Sequence, residues 1–330
     1  LPRVVALDLN RSGSEARMHR ARRVFQIVVF LFALAVASNA GAERTAVAAP
    51  GNFLDTCVLL TDGRAMCHVY NTNQWRVLTP DINGNYATGT WANTANMPNG
   101  TDTFTGPCNP GPCVYAPLYF ASQVLPDGRV VVIGGEYLSV TGGTPVWSNI
   151  GFMYDPVADT WSGQLTVPPT WISGNPNRGC LGDSSSIVLE NGTMILANGR
   201  DCGGNGNVAS FNPATLTFTA LNPTGKQDGN NEENWTILPD GRVLTIDATI
   251  QSQSEIYDPV ANTWGNAANT QVNMADTGNL GGSAEIGPAV LRHDGTAIGF
   301  SGNSLGQNAV YNAATNTWTN TAAMDFVDSG

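Results

Sequence analysis

Apolar and polar positions along this chain alternate in short runs and never settle into a helical period. Five times the same phrase recurs: an apolar strand, an Asp-Gly or Asn-Gly step, then a second apolar strand. The copies read LLTDGRAMCHV (59–69), VLPDGRVVVIGGE (124–136), VLENGTMILANG (188–199), ILPDGRVLTIDA (237–248) and LRHDGTAIGFSG (291–302). Such a step between two apolar runs is the strongest short-range signal for a β-hairpin. After a variable gap a second phrase follows: YDPVADTW (154–161), FNPATLTF (211–218), YDPVANTW (257–264) and YNAATNTW (311–318), with a looser first copy, WRVLTPDINGNYATGTW (75–91). Its leading Asp or Asn can bond the backbone ahead, Pro fixes φ, and Thr plus an aromatic resumes a strand.

Each repeat therefore predicts four antiparallel strands, a to d. The turn glycines at 63, 128, 192, 241 and 295 are 65, 64, 49 and 54 residues apart. Four strands in a repeat of that length make one blade of a β-propeller. A lone blade cannot bury both faces, so blades must stack around an axis. Trp161, Trp264 and Trp318, with Phe218 in the third copy, hold equivalent positions and are expected to pack between blades. The expected fold class is all-β, a propeller of four-stranded blades with five repeats discernible over 57–330.

IGG at 133–135, followed by YDP…TW, resembles the Kelch motif, and LPDGRV with EIYDPVANTW is similar to the central propeller of the galactose-oxidase-like group. The resemblance covers roughly 55–320 and implies a ring of six or seven blades. Residues 320–330 (NTAAMDFVDSG) read as a connection to a further strand a. The expectation is a truncated six- or seven-bladed ring; the alternative is a five-bladed ring closed with help from residues 43–56. The resemblance also implies a copper-radical centre of two His, two Tyr and a Cys bonded to one Tyr. Beyond residue 42 the chain has only His68 and His293, and no Tyr-His pair. His68 falls on a strand b and His293 beside an Asp-Gly turn, so they are not placed to share an ion. The same placement gives a serine hydrolase no histidine partner. The reading is a propeller without the copper site.

The N-terminal region changes the picture of where the protein works. A basic stretch from Met18, an apolar run VFQIVVFLFALAVA (24–37) and small residues SNAGA (38–42) have the order of a secretory signal peptide. Residues 1–17 read as an over-extended start and 43–56 as an N-terminal segment before the propeller. The expected location is secreted, periplasmic or extracellular, with no stable membrane span after cleavage. Residues 43–330 carry nine basic side chains against twenty-four acidic ones, which argues against a nucleic-acid partner. Six cysteines in such a chain suggest disulfides. Cys57 and Cys67 flank the first Asp-Gly turn, Cys108 and Cys113 close CNPGPC, and Cys180 and Cys202 bracket the third hairpin, giving three expected pairs.

Propeller topology puts the Asp-Gly turns and the c–d turns on one, lower face and the long b–c and d–a connections on the upper face. Binding residues concentrate on long loops over rigid scaffolds. The off-pattern residues there are Glu136, Asp183, Asp201, Glu232, Glu233, Asp247 and Glu285, with Trp147, Trp171 and Trp235. Carboxylates accept hydroxyl hydrogens and indole rings stack on apolar sugar faces. The expected function is a binding scaffold for carbohydrate or an extracellular protein. The alternative is a carbohydrate-active enzyme, a carboxylate-pair glycosidase or lyase using acids such as Glu233 and Glu285. Calcium stays open as a cofactor, although no loop carries a spaced string of ligands.

Overall fold

The computed structural model describes residues 46–168, 179–199, 206–250, 252–276, 285–303 and 305–323. At each of the five hairpin steps the Asp or Asn side chain accepts from the backbone N–H two residues on. Asp62 accepts from Arg64 at 3.0 Å, Asp127 from Arg129 at 3.1 Å, Asn191 from Thr193 at 2.9 Å, Asp240 from Arg242 at 3.1 Å and Asp294 from Thr296 at 3.0 Å. The glycines that follow have φ between 80° and 88°, a region open to them because they lack Cβ.

The first blade is β1 (Leu54–Leu59), β2 (Ala65–Val69), β3 (Trp75–Thr79) and β4 (Thr90–Asn93). A small ribbon follows, β5 (Asn99–Gly100) with β6 (Cys113–Val114). β7 (Pro117–Leu118) leads into the second blade, β8 (Ala121–Val124), β9 (Val130–Ile133), β10 (Tyr137–Leu138), β11 (Gly151–Asp155) and β12 (Thr160–Trp161), in which β10 leaves the blade to pair with β7. The third blade is β13 (Ser186–Val188), β14 (Met194–Ala197), β15 (Val208–Asn212) and β16 (Thr217–Ala220). The fourth is β17 (Asn234–Ile237), β18 (Val243–Ile246), β19 (Ser254–Asp258) and β20 (Thr263–Asn266). The fifth is β21 (Ile286–Leu291), β22 (Ala297–Ser301), β23 (Asn308–Asn312) and β24 (Thr317–Thr321). Each blade pairs a-b-c-d antiparallel, and the inner strands β1, β8, β13, β17 and β21 neighbour one another in that order. This is a β-propeller of five four-stranded blades.

Side chains on a strand point to alternate faces, so a blade between two others must be apolar at every position. β9 illustrates this. Val130 and Val132 pack with Trp75, Val77 and Phe152, whereas Val131 and Ile133 pack with Met194, Leu196 and Phe211. The third interface gathers Ile195, Trp235, Tyr257 and Trp264, and the fourth gathers Leu244, Ile246, Met274 and Trp318.

The repeat aromatics form cross-strand pairs: Tyr154–Trp161 at 5.0 Å, Tyr257–Trp264 at 5.2 Å, Tyr311–Trp318 at 5.1 Å and Phe211–Phe218 at 4.7 Å between ring centroids. Each tyrosine hydroxyl bonds the side chain five residues on, Asp159 at 2.7 Å, Asn262 at 2.9 Å and Asn316 at 2.8 Å. Those three residues sit at φ 52°, 54° and 50°, the left-handed region that Asp and Asn tolerate best after glycine.

Cys57 and Cys67 face each other across β1 and β2 and are bonded, and Cys108 is bonded to Cys113. Cys180 is also disulfide-bonded; Cys202 lies outside the described residues. Among the described residues no helix is long and apolar enough to cross a membrane.

Candidate functional site

Three residues ahead of inner strands share an unusual backbone. Tyr119 before β8, Asp183 before β13 and Glu232 before β17 have φ of 55°, 54° and 60°. A non-glycine residue in this region costs about 1–2 kcal/mol, so the surroundings must hold it there. Part of the hold is visible. The Asp183 N–H donates to the Tyr119 carbonyl at 3.3 Å, and the Glu232 N–H donates to the Asp183 carbonyl at 3.3 Å. Successive blades are thus stitched together at the lip of the axis.

These turns bring side chains from all five blades to one place. Tyr70 follows β2, Tyr119 precedes β8, Glu136 follows the Gly-Gly after β9, Asp183 and Glu232 precede β13 and β17, and Glu285 precedes β21. With Tyr137 they line a pocket of about 880 Å³ on the upper face, and no Lys, Arg or His is among its described lining residues. The four carboxylates are half-buried, while Tyr119 is 61% exposed. Burial, then the neighbouring Asp183 and Glu285 charges, a hydrogen bond with Glu285 and the Glu136 charge push the Glu232 carboxyl up to about 9. Glu232 therefore keeps its proton at neutral pH. Tyr137 is pushed up to about 12 by burial and by its hydrogen bond to Glu136. The Tyr119 and Tyr137 rings meet edge to face at 5.9 Å.

A second polar cluster is enclosed at the upper end of the fourth blade. The Lys226 ammonium lies 2.5 Å from Asp228, 2.7 Å from Glu233, 2.5 Å from Glu255 and 3.7 Å from Asp247. The Thr245 hydroxyl donates to Glu233 at 3.1 Å, the Gln227 N–H to Glu255 at 2.9 Å, and the Thr249 hydroxyl to Asp228. Burial works against the Lys226 charge, but Glu233, Asp247, Asp228 and Glu255 outweigh it and raise its pKa. Burial raises Glu233 well above the carboxylate range against the pull of Lys226, and it raises Asp247 to about 8.

The structure therefore brings Glu136, Asp183, Glu232 and Glu285 together and sends Glu233 and Asp247 elsewhere. The pairing of Glu233 with Glu285 across one pocket is replaced by Glu232 with Glu285, because adjacent residues entering β17 point to opposite sides. Trp235 is buried against Trp264 at 5.8 Å, and Trp147 is 5% exposed, so neither presents a free ring face. Trp171 and Asp201 lie outside the described residues. His68 is buried, with Nδ1 3.0 Å from Asp55 and Nε2 2.7 Å from the Thr72 carbonyl; His293 sits exposed beside the lower-face turn of the fifth blade. Sequence reasoning missed Tyr70, Tyr119 and Tyr137 at the pocket and Lys226, Asp228 and Glu255 in the cluster. One signal was available: Lys226 is the only lysine of the chain.

No family model matches the chain, and no curated protein matches it. Solved structures do. A fungal alcohol oxidase of the AA5 family, in complex with copper, superposes with a TM-score of 0.52 at 17% identity, over 82% of this chain and 53% of that one. YjhT superposes with a TM-score of 0.51 at 13% identity, over 80% of this chain and 82% of that one. The β-propeller fold is shared with both. The chain spans about half the length of the oxidase, and at such identity the likeness carries the fold alone.

Proposed function

We propose that this Kelch propeller is a secreted binding module that holds a carbohydrate in the axial pocket of its upper face. The observation that carries the reading is the meeting of carboxylates from four consecutive blades with three tyrosines in one cavity of about 880 Å³. That size suits a small ligand. Ionised carboxylates accept hydrogens from sugar hydroxyls, and protonated Glu232 adds a donor to a set otherwise made of acceptors. The exposed Tyr119 ring offers a face to the C–H side of a pyranose. Among the described lining residues none is basic, which suits neutral and amino sugars. The disulfides fit an oxidising, extracytoplasmic setting.

A second reading rests on Glu232 itself. A carboxyl that keeps its proton, hydrogen-bonded to Glu285, is a donor beside an acceptor and could serve acid–base chemistry on a glycosidic bond. A glycan array followed by calorimetric titration tests both. The expected result is retention of neutral or amino sugars by the wild type, weakened by about 1–3 kcal/mol in the Glu232→Gln, Glu285→Gln double variant. An array with no bound glycan would overturn the carbohydrate reading in favour of a protein ligand. Turnover of a bound glycan that the double variant loses while still binding would make the protein an enzyme.

A further inference from the structure

The cluster around Lys226 holds more acids than the ammonium can bond. Four carboxylates surround a single ammonium, and every side chain involved is at least nine-tenths buried. An ammonium has three N–H donors. Here they go to Asp228, Glu233 and Glu255. Asp247 is left at 3.7 Å, and among the described residues neither of its oxygens has a hydrogen-bond partner although Asp247 is 1% exposed. Burying a carboxyl group with no hydrogen-bond partner is unfavourable.

Nothing in the propeller repeat demands these acids. By strand register the place of Asp247 is held by Gly134, Asn198 and Ser301 in the second, third and fifth blades. The place of Glu255 is held by Phe152, Ala209 and Ala309. The fourth blade alone puts carboxylates at both.

We propose that this cluster is a calcium site, in which Ca²⁺ is held by Asp247 together with oxygens of Asp228 and Glu255, while Lys226 stays with Glu233. All the donors are oxygen, which selects a hard cation over zinc or copper. One oxygen from each of the four acids lies within 4.8 Å of the others. Oxygens on opposite sides of a Ca²⁺ ion are about 4.6–5.2 Å apart, from Ca–O distances of about 2.3–2.6 Å. Ca²⁺ accepts irregular coordination where Mg²⁺ requires a near-ideal octahedron. Lys226 is on a flexible four-carbon stem and can yield room on the Asp247 side.

The test is a Ca²⁺ titration of the chelator-treated protein, read by calorimetry, by melting temperature and by Tb³⁺ luminescence. Trp264, whose ring centre is 5.2 Å from the Lys226 nitrogen, is the sensitiser for Tb³⁺. The expected results are one saturable site, a higher melting temperature with Ca²⁺, and Tb³⁺ luminescence that Ca²⁺ displaces. Asp247→Asn should weaken binding at least tenfold, and Asp294→Asn on the lower face should not. If Asp247→Asn does not fold, Trp264→Phe in its place should sharply reduce the Tb³⁺ signal and leave the Ca²⁺ shift in melting temperature. A wild type that melts at the same temperature in millimolar Ca²⁺ and in chelator, with no saturable binding, would overturn the proposal. So would loss of binding in Glu285→Gln rather than Asp247→Asn, which would put the ion in the axial pocket.

Discussion

A single hydroxyl explains a choice made five residues away. Where a blade carries tyrosine in strand c, as at 154, 257 and 311, the left-handed residue of the following turn is Asp159, Asn262 or Asn316, and the two side chains are hydrogen-bonded. Where the blade carries Phe211, the same left-handed position is Leu216 at φ 58°. With no hydroxyl to satisfy, the polar residue disappears although the backbone strain stays. Asn262→Ala should therefore cost about 1–3 kcal/mol, from a lost hydrogen bond and a poorer left-handed residue. Leu216→Asn should change stability by less than about 1 kcal/mol, since it gains backbone comfort but no partner. Urea denaturation of both variants checks the pair, and equal costs would contradict the coupling.

At the same scale, Glu232 sets a pH dependence. Its folded pKa of about 9 lies above the ordinary value of 4.5, through burial and the Asp183, Glu285 and Glu136 carboxylates. Between those values the folded chain holds a proton that the unfolded chain has released. The group's contribution to stability is thus full at acid pH and is lost as pH rises through about 9. Glu232→Gln should flatten the fall in melting temperature between pH 6 and 9, whereas unchanged slopes would place the proton elsewhere.

Elements are joined at glycines and left-handed lips. Gly134, at φ 87°, ends β9 where a Cβ would come within 1.9 Å of the Leu181 carbonyl oxygen in the next blade's entry. Backbone cannot give way as a side-chain tip can, so Gly134→Ala should destabilise by about 3 kcal/mol or more. Thermal melts of that variant check this.

The hairpins, the five repeats and the inter-blade aromatics were all legible in the sequence, because Asp-Gly steps and aromatic pairs are local and recur. The pocket was half legible. Glu136, Asp183, Glu232 and Glu285 could be placed on the upper face from topology. Which of Glu232 and Glu233 turns to the axis depends on one left-handed φ, and no residue type announces that. Trp235 looked like an off-pattern ring on the upper face. Its position inside β17 instead makes it part of the packing against the third blade, as strand alternation requires.

For the whole molecule, charge and symmetry work together. The chain is acidic, with a formal net charge of −11. Five blades each contribute to one upper-face pocket, and among the described residues its lining has no cationic side chain. The lower face is built of Asp-Gly turns whose acids are occupied by their own backbone, as Asp294 is by Thr296. On the proposed function, recognition is expected at one end of the axis only. The measurement that tests this most directly is the dissociation constant of the best glycan found on the array, compared between wild type, Tyr119→Ala and Asp294→Asn. The expected result is at least tenfold weaker binding for Tyr119→Ala and no change for Asp294→Asn. Equal affinities in all three, or a loss confined to Asp294→Asn, would contradict it.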